Sequence, residues 1–168
     1  AHQVLVALGT LFLISSVLIP QYFFSLIWVG FIFLLEPFVY RFGGKSLLRD
    51  LGEGKPGKIY LLFIAGLICG FLWEFWNFWA ASKWVYTVPF FGRWKFFEMP
   101  VLGFLGFPPF ALECWILYHL MRTGMRRVRP PVLRAALWAI IGTFCLLIFY
   151  CIDRQTVLRC ADLGRARP

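Results

Sequence analysis

The chain has 168 residues, of which 61% are hydrophobic, 20% are aromatic and only 15% are charged, whereas about a quarter of the residues of an ordinary soluble domain are charged. The 17 Lys and Arg and 8 Asp and Glu side chains are too few to cover the surface of a water-soluble globule of this length. The composition therefore predicts an integral membrane protein, with no room for an appended soluble enzyme or nucleic-acid-binding module.

The net charge of +9 is concentrated between apolar runs. Residues 41–58 and 122–134 together carry ten Lys and Arg. By the positive-inside rule these loops are cytoplasmic, which places the amino terminus in the cytoplasm, although the basic carboxyl tail counts against this topology. Such clusters are typical of solvated faces near anionic headgroups, with a specific phosphate or partner site as the alternative. Nucleic-acid binding is not expected.

The apolar runs predict an all-α fold, a polytopic transmembrane helical bundle that forms a single domain over residues 1–168. The first two runs are separated only by Pro20-Gln21 and should form a tight helical hairpin. A short amphipathic piece at Ser46 to Leu51 should lie on the membrane surface. About five spans are expected, at residues 4–19, 22–40, 59–80, 101–121 and 132–152, with an interfacial aromatic loop at 81–100.

Two local patterns bear on how the spans pack. Gly66 and Gly70 form a small-xxx-small pair, which lets a neighbouring helix approach closely. Pro108-Pro109 removes two backbone donors, so the fourth helix is expected to be kinked or broken there.

Three glutamates, Glu36, Glu74 and Glu113, fall inside predicted spans, where an anion costs about 2.5 to 3.5 kcal/mol or more. Each is therefore a candidate functional group, and a carboxyl simply hydrogen-bonded between helices is the alternative. For Glu36, which lies five residues before Arg41, this structural alternative is favoured.

The main candidate site surrounds Glu74. Asn77 lies three residues on and shares its helix face, so a carboxyl and a carboxamide can together orient a proton or a ligand. Trp73, Trp76 and Trp79 are expected to surround the pair. Their indole faces can stabilise a cation or pack against a lipid or a ring pigment. Glu113 follows the proline pair by four residues, at a height that differs from that of Glu74 by about 10 Å. That offset disfavours a carboxylate dyad but allows both groups to flank one elongated ligand.

The predicted catalytic residues are thus Glu74, Asn77 and Glu113. The predicted ligand-binding residues are Trp73, Trp76, Trp79, Trp84, Tyr86 and Phe110. With only His2 and His119 in the chain, no haem or metal site is expected from its own side chains. A bound lipid or carotenoid is compatible with the pattern.

The stretch from Trp73 to Trp115 resembles an uncharacterised family of small bacterial polytopic membrane proteins. A weaker similarity runs to the membrane carotenoid (lycopene) cyclases and hydratases, which pair a Trp-acidic step on one helix with a proline-acid step on the next. Trp73-Glu74 matches the first step. Glu98-Met99-Pro100 has the acid and the proline in reverse order, and the paired acidic residues of the cyclases are missing. The similarity to the cyclases and hydratases implies acid-catalysed chemistry on an isoprenoid, and the resemblance to the bacterial family implies a bacterial cytoplasmic membrane.

Three functions follow as hypotheses. The first is an intramembrane enzyme or binding protein for an isoprenoid or similar lipid, with Glu74 as proton donor. The second is a non-catalytic accessory or scaffold subunit of a larger respiratory or photosynthetic membrane complex. The third is a channel or transporter, which the lack of an evident internal repeat disfavours. The expected partners are membrane lipids and other membrane subunits or further copies of the chain.

Overall fold

The structure, a computed structural model, describes residues 2–86 and 94–155. It is 80% helical, which confirms the all-α class. In chain order the elements are α1 (His2–Leu18), α2 (Pro20–Phe23), α3 (Leu26–Arg41), α4 (Leu47–Gly52), α5 (Gly57–Trp79), β1 (Lys95–Phe96), β2 (Met99–Pro100), a 3-10 helix (Val101–Gly106), α6 (Phe107–Arg127) and α7 (Pro131–Gln155). The contacts divide the chain into two compact units, residues 1–124 and 125–168.

The first two long helices form the expected hairpin. α1 and α3 make the most extensive helix contact among the described residues. They cross at Gly9, where an added Cβ would lie 2.5 Å from the Leu34 backbone nitrogen and 2.7 Å from the Gly30 carbonyl oxygen. Only a residue without a side chain permits this approach. The Ser16 hydroxyl helps to close the turn by donating to the carbonyl oxygen of Phe23 at 2.8 Å.

α4 forms where the amphipathic piece was predicted. Ser46 is its N-cap, in extended conformation, and the Ser46 Oγ accepts the backbone N–H of Arg49 at 3.2 Å. Leu47 then packs with Val39 of α3 and Ile116 of α6 to form the buried hydrophobic cluster. The hairpin, α4 and α6 therefore share one core.

α5 and α6 pack antiparallel through the small-residue face. The Phe107 carbonyl oxygen lies 2.6 Å from where a Cβ on Gly66 would stand. Eight residues further along α6, the Trp115 ring lies under the Lys58 ammonium, 5.4 Å from its centroid. On these antiparallel helices, two residues at the same height therefore have numbers whose sum is about 173. This register gives the relative heights of the site residues.

Pro108 and Pro109 lie in the first turn of α6, directly after the 3-10 helix. The first N–H groups of an α-helix have no intrahelical partner, so proline is tolerated there at little cost. The 3-10 helix, Val101–Gly106, ends directly before α6 begins at Phe107. A kink at the prolines stays a prediction.

Among the residues that the structure describes, three helical segments are long and apolar enough to cross a membrane: Gly57–Trp79, Val101–Arg127 and Pro131–Arg154. They correspond to the third, fourth and fifth predicted spans, and they fit an integral membrane protein. α1 is a shorter apolar helix. The total of five spans stays a prediction, as does a single domain. Within its own unit, the most apolar stretch of α7 buries no residue.

A short antiparallel hairpin precedes the 3-10 helix, with Lys95 opposite Pro100 and Phe96 opposite Met99. Phe97 occupies its turn with a φ of 57°, a left-handed conformation that is uncommon for a residue other than glycine. The Phe97 ring packs against Phe71 and Phe78 of α5, at centroid distances of 5.8 and 5.5 Å. The hairpin thereby covers part of α5 near its end. Residues 87–93, in the middle of the predicted aromatic loop, lie outside the described residues.

Candidate functional site

The site is built where α5 ends and the chain turns back. The helix stops at Trp79, and Ala80 takes an extended conformation. The Asn77 side chain fastens the returning chain, because its Oδ1 accepts the Trp84 backbone N–H at 2.7 Å and its Nδ2 donates to the Trp84 carbonyl oxygen at 2.9 Å. This pair of bonds holds the segment that carries Tyr86 against the last turns of α5.

Glu74 is fully buried beneath that segment, with none of its surface exposed. Its Oε1 accepts a hydrogen bond from the Tyr86 hydroxyl at 2.8 Å. Its Oε2 is enclosed and has no hydrogen-bond partner among the described residues. A buried polar atom without a partner is costly and uncommon in folded proteins, so Glu74 offers one free hydrogen-bonding position in an apolar setting.

Tyr86 responds to this environment. Burial raises the pKa of its phenol, and the bond to Glu74 raises it further, to about 12. The hydroxyl therefore keeps its proton at neutral pH and acts as a donor to the carboxyl. Tyr86 was predicted only as a ligand-binding aromatic, and its direct bond to Glu74 was not anticipated.

Asn77 differs from its predicted role. It lies on the buried face of α5 with Glu74, as the spacing indicates. However, both of its side-chain heteroatoms bind the backbone of Trp84. In the structure, Asn77 therefore positions the Tyr86 segment, and its predicted catalytic role beside Glu74 stays a prediction.

Two of the three tryptophans do not lie beside Glu74, and the predicted ligand-binding role of all three stays a prediction. Trp76 and Trp79 are 64% and 72% exposed. Helical geometry explains this, because at about 100° per residue they lie roughly 200° and 140° around α5 from Glu74. Trp73 is half exposed, but its side chain lies close enough to the Tyr86 hydroxyl to oppose part of the rise in the pKa of that phenol. It is the one member of the three that reaches the site.

The remaining predicted site residues lie apart from Glu74 or touch it indirectly. In the α5/α6 register, Glu113 is level with residue 60 and is about 20 Å from Glu74 along the helix axis. Phe110, on the preceding turn of α6 and 48% exposed, is similarly distant. Trp84 contributes its backbone. The structure thus separates Glu113 and Phe110 from the other predicted residues.

A second buried carboxyl, Glu36, is organised more completely than the sequence indicates. Its Oε1 accepts the Ser46 hydroxyl at 2.6 Å and the Leu48 backbone N–H at 2.9 Å. Its Oε2 is buried without a partner among the residues described. Glu36 also borders a cavity of about 140 Å³ lined by apolar side chains, among them Leu5, Ile32, Leu51, Ile59 and Leu112. The sequence signal for this bond is Ser46, which follows Gly43-Gly44 and lies ten residues after Glu36.

Within residues 2–86 and 94–155, no group of three His, Cys, Asp or Glu side chains is arranged to hold a metal ion. No family model matches the chain, and no curated protein or solved structure matches it either. The functional argument therefore rests on the geometry of the site.

Proposed function

We propose that this protein is an integral membrane protein of the bacterial cytoplasmic membrane that binds an isoprenoid or other lipid-like ligand beside Glu74. The amino terminus and both basic loops lie on the cytoplasmic side, and residues 81–86 and 94–100 lie at the opposite interface. The observation that supports this proposal is the environment of the Glu74 carboxyl. This group is fully buried, its Oε1 accepts the Tyr86 hydroxyl, and its Oε2 has no hydrogen-bond partner among the described residues.

The chemistry around the carboxyl selects the class of ligand. The nearest walls are aromatic, with Phe71, Phe75 and Phe78 of α5 packed against Phe97. Trp73 and its outward neighbours face the region that a bilayer would fill. A ligand that enters from lipid must be largely apolar, and one polar or unsaturated end would meet the free oxygen of Glu74. Isoprenoids and related lipids have this form.

The same geometry supports acid catalysis on such a ligand. The Glu74 carboxyl would give its proton to a carbon of a double bond, whose electron pair forms the new C–H bond. The Trp73 indole would stabilise the resulting carbocation. The carboxylate left behind would remain hydrogen-bonded to the Tyr86 hydroxyl. Glu113 stays a prediction for a group at the far end of an elongated ligand.

The test compares Glu74→Gln with Glu53→Gln. The amide keeps the shape of Glu74 and can still accept the Tyr86 hydroxyl, but it has no acidic proton. Glu53, which pairs with Lys55 at the surface and lies beyond the opposite end of α5, provides a matched substitution outside the site. Each purified protein is extracted with organic solvent, the released lipids are identified by mass spectrometry, and turnover of added geranylgeraniol is followed.

We expect the Glu74 variant to lose a co-purifying lipid, or its conversion, while its helicity and thermal unfolding match the parent. The Glu53 variant should keep both. Equal lipid content and equal turnover in the parent and the Glu74 variant would refute the proposal.

A second candidate function is a non-catalytic subunit of a larger membrane complex. It is favoured by α7, whose most apolar stretch buries no residue, and by the exposed Trp76 and Trp79. Gly66 and Gly70 do not support it, because Phe107 of the same chain occupies their face. Gentle solubilisation and mass analysis separate the candidates: stoichiometric subunits favour the complex, and a lone chain with bound lipid favours ligand binding.

A further inference from the structure

We propose that Lys45, Lys58 and Arg122 form a binding site for the phosphate group of an anionic lipid headgroup. The three cations come from three elements, the α3–α4 loop, the first turn of α5 and the last part of α6. All three positive charges lie close enough to His119 to affect it electrostatically, and the His119 side chain is 4% exposed. This site lies at the end of α5 opposite Glu74 and is independent of it.

Two aromatic rings organise the cluster. Trp115 and Tyr118 flank the His119 ring at centroid distances of 4.3 and 5.0 Å. The Lys58 ammonium lies over Trp115 and the Arg122 guanidinium over Tyr118, 5.4 and 6.0 Å from the ring centroids. The Trp115 indole donates to the Lys45 carbonyl oxygen at 3.3 Å, which holds the loop close to α6.

Two features of the cluster indicate an anionic ligand. Lys58 is already paired with Asp50, but no carboxylate among the described residues forms an ion pair with Lys45 or Arg122. In addition, the His119 Nε2 is buried and has no hydrogen-bond partner among the residues that the structure describes. Lys45 and Arg122, which no described carboxylate neutralises, can bind the acceptor oxygens of a phosphate group, and the His119 Nε2 can donate to one of these oxygens when it carries a proton.

A lipid is the favoured source of that phosphate. Trp and Tyr side chains are typical of the headgroup level of a membrane, and basic pockets between transmembrane helices recognise phosphate-bearing headgroups. The cluster combines both features at the end of two apolar helices. A soluble phosphate offers the same oxygens without the acyl chains.

The experiment places the full chain in phosphatidylcholine nanodiscs that contain a graded fraction of phosphatidylglycerol. Native mass spectrometry counts the phosphatidylglycerol molecules retained. Arg122→Gln and Lys45→Gln remove one charge each from the cluster. Lys55→Gln removes one charge from an exposed neighbour that pairs with Glu53, and serves as the control.

We expect each cluster variant to lower phosphatidylglycerol affinity about tenfold, the factor for loss of one hydrogen bond to a charged group, and Lys55→Gln to change it less than about twofold. Equal losses in all three variants would overturn the proposal in favour of general surface attraction. Inorganic phosphate is added in a parallel series without phosphatidylglycerol. Binding there with the same variant dependence would support the phosphate site and assign its ligand to the soluble source, whereas absence of binding supports the headgroup.

Discussion

Ser46→Ala removes two hydrogen bonds at once. The hydroxyl donates to Glu36 Oε1 at 2.6 Å and accepts the Arg49 backbone N–H at 3.2 Å. Loss of an N-cap costs about 1 kcal/mol, and loss of a bond to a buried polar group costs about 1 to 3 kcal/mol. We therefore expect the free energy of unfolding to fall by about 2 to 4 kcal/mol.

Ser25→Ala is the matched control, because Ser25 is the N-cap of α3 but its side chain makes no capping bond. It should change stability by less than about 0.5 kcal/mol. Both variants are unfolded in mixed micelles by titration with dodecyl sulfate, and helicity is followed by circular dichroism. A Ser46→Ala loss below about 1 kcal/mol would show that the Glu36–Ser46 bond does not hold α4 in place.

Three further predictions concern the hairpin and the Glu74 site. Gly9→Ala should destabilise the protein by about 1 to 3 kcal/mol, because its Cβ meets backbone, whereas Gly142→Ala, with nothing within 4 Å, should cause no loss in the same assay. The pKa of Tyr86 is raised to about 12 in the folded protein from an unfolded value near 10. The stability that this shift contributes is therefore complete below about pH 10 and disappears as the pH rises through about 12. An absorbance titration of Tyr86→Phe should lack the tyrosine component near that pH, and identical titrations of the parent and the variant would contradict the assignment. Trp73→Leu should reduce retention of the co-purifying lipid, while Trp76→Leu, on the far side of α5, should leave it unchanged by mass spectrometry; equal losses would place both rings at the site.

The sequence predicts the helices well because burial in a bilayer and helix length leave few alternatives. The short helix after Ser46 was predicted from local charge and apolar spacing, and α4 forms there. The spacing of Glu74 and Asn77 likewise places both on one face, and both are buried. Such features depend on residues within a few turns of one another.

The partners of those residues depend on where the chain returns in space. Tyr86 reaches Glu74 only because Asn77 captures the Trp84 backbone after the helix ends, and no periodicity encodes this. The position of Glu113 depended on the α5/α6 register, which Gly66 and Phe107 set through a close backbone contact. The outward direction of Trp76 and Trp79, in contrast, follows from helical geometry once Glu74 is taken as the buried position.

The close crossing of α1 and α3 has a consequence for the order of assembly. The two helices are adjacent in sequence, so their pairing closes only a short loop, and contacts of that kind form quickly. They are also made before α5 and α6 leave the ribosome, since chains fold from the amino-terminal side during synthesis. The completed pair then presents Glu36 and Val39 as a preformed surface for α4 and α6. An error at Gly9 would therefore be inherited by every later step of biogenesis.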